Sequence, residues 1–142
     1  MYADVPARIV VVDAGPLIGL LNRRDPYHSD ALRGFERLTS HGASIVVPLP
    51  IVFEVFKWLI HRTTLETART ALVWMSEDVE IVYPGSVELR EMLALMAGRP
   101  NWRGTLEDAS VVQAATRSAA PVWTIDYGDL SAFPNLQFWT PG

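Results

Sequence analysis

The 142-residue sequence contains no cysteine, which excludes disulfides, thiolate metal sites and cysteine nucleophiles together. Histidine is scarce. His28, His41 and His61 are the only three, and no element predicted from the sequence brings them to a metal-binding spacing. Lysine is nearly absent, since Lys57 stands against eleven arginines. Arginine suits bidentate phosphate contacts, although a codon bias produces the same excess. The formal charge of −4 argues against a broad basic surface for nonspecific nucleic-acid binding but leaves room for a localised basic groove. No apolar run approaches the ~20 residues of a membrane-spanning helix. Met1–Pro6 carries neither the basic region nor the apolar stretch of a secretory leader. These absences point to a cytoplasmic protein with no membrane partner, whose chemistry rests on carboxylates, hydroxyls and arginine.

What is present suits a buried core. The chain is 49% hydrophobic and 20% charged, and its length fits one compact domain over 1–142. Short β-branched runs alternate with amphipathic stretches, the mark of a parallel sheet covered by helices. Strands are expected at Arg8–Val12, Ser44–Val47, Val79–Tyr83 and Val122–Ile125, with Asn135–Trp139 as a possible fifth. Pro16 suits the first position of a short helix ending near Asn22, and a second helix should run from Ser29 to Leu38. Pro48 and Pro50 open a very apolar helix from Ile51 to His61. Thr63 and Glu66 have the spacing of a capping box for the next helix, which runs to Ser76. Ser86 caps a helix to Ala97, and a further helix spans Leu106 to Ser118.

In an open parallel sheet, ligands bind beyond the carboxyl ends of the strands. Asp13 and Asp126 fall there, after apolar runs that place them away from ordinary surface positions. Glu54 is the only acid between Val46 and Leu65, and burying it without a partner is costly. Asp108 lies in the first turn of its helix. Each has a structural alternative. The two strand-end acids can cap turns, Glu54 can pair with Lys57, and Thr105-x-x-Asp108 has the form of a capping box. Four such coincidences are less economical than one shared cation site. Clustered carboxylates repel one another unless a cation offsets them, and an oxygen-only ligand set suits Mg²⁺ or Mn²⁺. A hard divalent ion near the arginine-bearing loop Arg99–Gly104 suits phosphodiester hydrolysis.

Taken in order, several segments resemble the PIN-domain family, and within it the VapC-type toxins. They are Ile9-Val10-Val11-Val12-Asp13-Ala14-Gly15-Pro16-Leu17-Ile18, Asp25-Pro26-Tyr27-His28, Pro50-Ile51-Val52-Phe53-Glu54-Val55, Leu106-Glu107-Asp108-Ala109-Ser110 and Thr124-Ile125-Asp126. The resemblance covers nearly the whole chain. It implies a three-layer α/β/α sandwich around a parallel sheet of four or five strands. It implies an Mg²⁺- or Mn²⁺-dependent endoribonuclease that leaves 5′-phosphate and 3′-hydroxyl ends. Asp13, Glu54, Asp108 and Asp126 match the family's four acids, and Thr124 its accompanying hydroxyl. Asp13 and Asp108 would be direct ligands, with Glu54 and Asp126 acting through waters or on a second ion. The implied partners are an RNA substrate, a cognate antitoxin and a second copy of the chain.

Two positions blur the pattern. Glu107 precedes Asp108, so the third acid could fall one residue earlier. Asp129 is either an auxiliary acid or a turn residue. RNA contacts are expected at Arg99, Asn101, Trp102 and Arg103, with Thr124 beside them; alternatively, Trp102 packs its loop onto the core and both arginines are merely solvated. A haloacid-dehalogenase-like site needs an acid where Gly15 stands, and a receiver domain needs a lysine near its last strand. The remaining rivals are a binding module that holds RNA or protein without cutting, and a PIN nuclease of RNA processing. The presence of all four acids favours cleavage.

Overall fold

The computed structural model describes residues 7–142. Met1–Pro6, read above for a leader, lie outside the described residues. Four strands, β1 (Ile9–Val12), β2 (Ser44–Pro48), β3 (Glu80–Val82) and β4 (Val122–Trp123), alternate with six helices. The helices are α1 (Ala14–Leu21), α2 (His28–Ser40), α3 (Leu49–Arg62), α4 (Leu65–Asp78), α5 (Ser86–Ala97) and α6 (Leu106–Ser118). All strand pairs are parallel, in the order β3-β2-β1-β4.

Val10, Val11 and Val12 are all fully buried. Successive strand side chains point to opposite faces, so helices cover β1 on both sides and the domain is a three-layer α/β/α sandwich. α6 packs on β1 and β2, while α1 packs against both α2 and α3. Trp123 is completely buried against Phe35 and Trp139. A methyl group at Gly34 would collide with the Trp123 indole, so that glycine sets how closely α2 approaches β4.

Several boundaries differ from the sequence expectation for identifiable reasons. α1 begins at Ala14, two residues before Pro16, because the Asp13 side chain accepts a hydrogen bond from the Ala14 N–H at 2.9 Å and caps the helix. Thr64, rather than Thr63, caps α4 through the Thr67 N–H at 3.1 Å. Gly85, rather than Ser86, is the cap of α5, and the Glu88 carboxylate reaches back to the Gly85 N–H at 2.9 Å. The fifth strand at Asn135–Trp139 reduces to one parallel bridge between Val122 and Phe138. β4 is too short to template more than that.

The strand order locates the site. From β1 the chain moves outward through β2 to β3, then returns to the other side of β1 to form β4. The topology therefore reverses between β1 and β4, and a crevice opens beyond their carboxyl ends. Asp13 and Thr124 are the residues that immediately follow those two strands.

Candidate active site

Asp13 is buried and held from two directions. One carboxylate oxygen caps α1, and the other accepts the Thr124 hydroxyl at 2.9 Å. Its own N–H donates to the Trp123 carbonyl at 3.0 Å, tying it to the neighbouring strand. Burial raises its pKa above the ordinary value. The Ala14 and Thr124 hydrogen bonds oppose that rise, while the nearby charges of Asp108 and Asp126 add to it.

Thr124 is itself buried and accepts the Asp126 N–H at 3.1 Å. This side-chain bond turns the chain out of β4 and is the reason the strand stops at Trp123 rather than at Ile125. The segment is also pressed onto α1: Ile125 covers Gly15 so closely that a Cβ there would overlap it. Thr124 was expected among the RNA contacts. It is buried, with its hydroxyl committed to Asp13 rather than presented to solvent. Asp126 lies three residues past β4 and is exposed, contrary to the expectation that it avoids the open surface. One of its oxygens accepts the Gly128 N–H at 3.3 Å, so the turn-capping alternative is realised as well.

Glu54 reaches the crevice from α3 and is half-buried. The alternative pairing with Lys57 does not form. Its pKa is pushed up to about 7, chiefly by burial and then by repulsion from Asp13, Glu107 and Asp108. The structure thus brings Glu54, Asp13 and Asp108 into one electrostatic neighbourhood, with Asp126 beside Asp13. Glu107 belongs to it too. In the sequence Glu107 was only a rival to Asp108 for the third acid position; both bear on Glu54.

Asp108 completes a capping box at the start of α6. It accepts the Thr105 N–H at 2.9 Å, and its own N–H donates to the Thr105 hydroxyl at 3.1 Å. Only one carboxylate oxygen is engaged by that box, which leaves the other open to a further partner. Among the described residues no three acids or histidines stand close enough to bind one ion directly.

The loop before α6 lines a groove of about 540 Å³ with Gly128, Asp129 and Ala132. Trp102 donates its indole N–H to the Asp129 carbonyl at 2.8 Å, packs edge-on against Phe133 and lies over Gly104. Arg99 stacks over Phe133 and donates to the Ala132 carbonyl at 3.2 Å. Both residues therefore fasten one loop to the other: for Trp102 this is the packing alternative, while Arg99 is engaged rather than merely solvated. Arg103 remains exposed. Asp129 contributes its backbone carbonyl at a turn, in keeping with the turn reading.

No family profile matches the chain, and no curated protein matches it significantly. Solved structures do. The crystal structure of VapC20 from Mycobacterium tuberculosis, a sarcin-ricin loop cleaving toxin, superposes with a TM-score of 0.75 at 15% identity, covering 87% of this chain and 94% of that one. VapBC2 from Rickettsia felis, bound to a promoter DNA fragment, gives a TM-score of 0.70 at 14% identity over 92% of this chain and 96% of that one. A toxin–antitoxin complex from Klebsiella pneumoniae gives 0.65 at 19% identity over 94% and 98%. By fold, the chain is a PIN-like α/β/α sandwich of the kind found in the VapC toxins.

Proposed function

We propose that this protein is a metal-dependent endoribonuclease acting as the toxin of a type II toxin–antitoxin pair. The observation that carries the reading is that Asp13, at the crevice between β1 and β4 where such topologies bind ligands, is within electrostatic range of Asp108 and Asp126, and Glu54 within range of Asp13 and Asp108.

The donor set fits a hard divalent ion. Every candidate ligand is a carboxylate oxygen; burial first and repulsion among the acids second raise the Glu54 pKa, and a cation would relieve that repulsion. Mg²⁺ commonly keeps several waters and takes only one or two carboxylates directly, so the wide spacing of the acids suits a hydrated ion. Asp13 and Asp108 would hold it directly, with Glu54, Asp126 and Glu107 bonding to its waters. When bound, such an ion supplies Lewis-acid polarisation of a phosphodiester and an acidified water. The chain's own part is orientation. Thr124 and the Ala14 N–H fix both oxygens of Asp13, and Thr105 fixes Asp108.

RNA as substrate and an antitoxin as partner follow from the neighbours' described roles as a loop-cleaving toxin and as toxin–antitoxin complexes. A homodimer is proposed only on the resemblance of the sequence to VapC-type toxins. A non-cleaving binding module is favoured by one observation, the commitment of an Asp108 oxygen to the helix cap. Inducible expression of the wild type and of Asp13→Asn in a bacterial host, with mapping of new 5′-phosphate RNA ends, separates the two. Growth arrest and discrete new ends with the wild type alone are expected. Absence of both effects, with folded soluble protein, would favour the binding module.

A further inference from the structure

A second groove, of about 730 Å³, lies where the end of α1 meets the turn between α3 and α4. Arg23, Arg24 and Arg62 line it, with Glu66 as the single acid. All three arginines are exposed, and none is in an ion pair among the described residues. By contrast, Arg33 and Arg117 are paired with acids. Arg62 is steadied by the Trp58 ring, 5.6 Å away. In a chain of net charge −4, three unpaired guanidiniums in one concavity form a local basic site against the overall sign.

Helix dipoles do not reverse that sign. The carbonyl ends of α1 and α3 reach the groove and each carries roughly half a negative charge, while the N-terminus of α4 brings about half a positive one. The three arginines outweigh these partial charges together with Glu66. The carbonyl ends are also partly satisfied, since the Asn22 N–H donates to Ile18 and both the N–H and the hydroxyl of Thr63 donate to Leu59.

The groove is joined to the acids by two helices that pack together. Asp13 caps α1, which ends at Leu21, and Glu54 lies within α3, which ends at Arg62; at 1.5 Å per residue the path from acid to helix end is about 12 Å in each. The separation matches a few nucleotides of an extended strand.

We propose that Arg23, Arg24 and Arg62 hold the phosphodiester backbone of the RNA strand a few nucleotides from the bond that is cut, a role that rests on the ribonuclease reading above. Exposed arginines without ion-pair partners among the described residues suit backbone phosphates, which carry no base information.

The test is binding of a fluorescent polyuridine oligomer to the purified protein without divalent metal, followed by anisotropy over a range of salt. The Arg23→Gln/Arg24→Gln/Arg62→Gln variant should bind about tenfold more weakly, and its slope of log affinity against log salt should be shallower by about 2, the value for three lost single-strand phosphate contacts. Lysine at the same three positions should restore most of the affinity. Unchanged affinity and slope in the glutamine variant would overturn the proposal. So would a variant that keeps its RNA affinity but loses binding to polyglutamate, which would assign the groove to an acidic protein segment. Because no metal is present, the binding result stands apart from cleavage. A wild type that binds through these arginines yet produces no new 5′-phosphate ends would remove the nuclease reading and leave the groove as an RNA site.

Discussion

Asp13 and Glu54 face the same crevice, yet the fold treats them in opposite ways. Asp13 is anchored at both oxygens by groups from two different elements, the start of α1 and the end of β4. Glu54 has no ion-pair partner among the described residues and is pushed toward protonation chiefly by its burial and then by the acids around it. The first is an oriented carboxylate whose hydrogen bonds offset part of the cost of its burial. The second is a half-buried carboxylate that its surroundings push toward the neutral form. On the proposed function, the first sets geometry and the second supplies drive for ion binding.

The contrast is broken most severely at Asp13. Asp13→Asn keeps one acceptor oxygen, enough for the Ala14 N–H, while its amide can donate to a Thr124 hydroxyl turned onto the Asp126 carbonyl; it removes the charge, so RNA cleavage should fall below detection. The metal-free melting temperature should hold or rise, because a buried, repelled charge has been removed. Thr124→Val should come next. It deletes the hydroxyl that orients Asp13 and should lower cleavage roughly 10- to 100-fold, the range for groups that support a metal ligand. Thr124→Ser should recover most of that loss, which a purely steric role for the residue would not explain.

Glu54 sharpens the comparison through pH. Its pKa is about 7 in the folded, metal-free protein against an ordinary value of 4.5. Between those values the folded state binds more protons than the unfolded chain, so stability falls as pH rises through that window and levels off above it. Thermal melts of the metal-free wild type should show that decline, and Glu54→Gln should flatten it. Addition of Mg²⁺ should oppose the decline, with a melting-temperature gain that grows toward higher pH. The smallest effect belongs to Trp102→Phe. That change keeps an aromatic face but loses the hydrogen bond to Asp129, costing about 1 kcal/mol in unfolding free energy with only a minor change in cleavage.

Much of this architecture was legible in the sequence. α6 falls on the predicted Leu106–Ser118, and β1 begins one residue later than expected, because apolar periodicity and the Thr105-x-x-Asp108 box are local signals. Asp13 was legible for the same reason, following an unbroken buried run. What escaped depends on side chains that reach between segments. β4 stops early because the Thr124 hydroxyl captures the Asp126 N–H, and α1 starts early because Asp13 caps it. Trp102 offered an aromatic for stacking, yet its contacts to Asp129 and Phe133 lie far along the chain. The arginine groove was invisible for the strongest version of that reason. Asn22-Arg23-Arg24 read only as a helix stop, and nothing local joins it to Arg62.

The central claim is that these acids form one divalent-ion site anchored on Asp13. It is tested most directly by titrating the purified wild type and Asp13→Asn with Mn²⁺ while following the free-ion electron paramagnetic resonance signal. Saturable loss of the signal with the wild type, abolished or strongly weakened in the folded Asp13→Asn variant, is the predicted result. Equal binding by both proteins, or none by either, would contradict it.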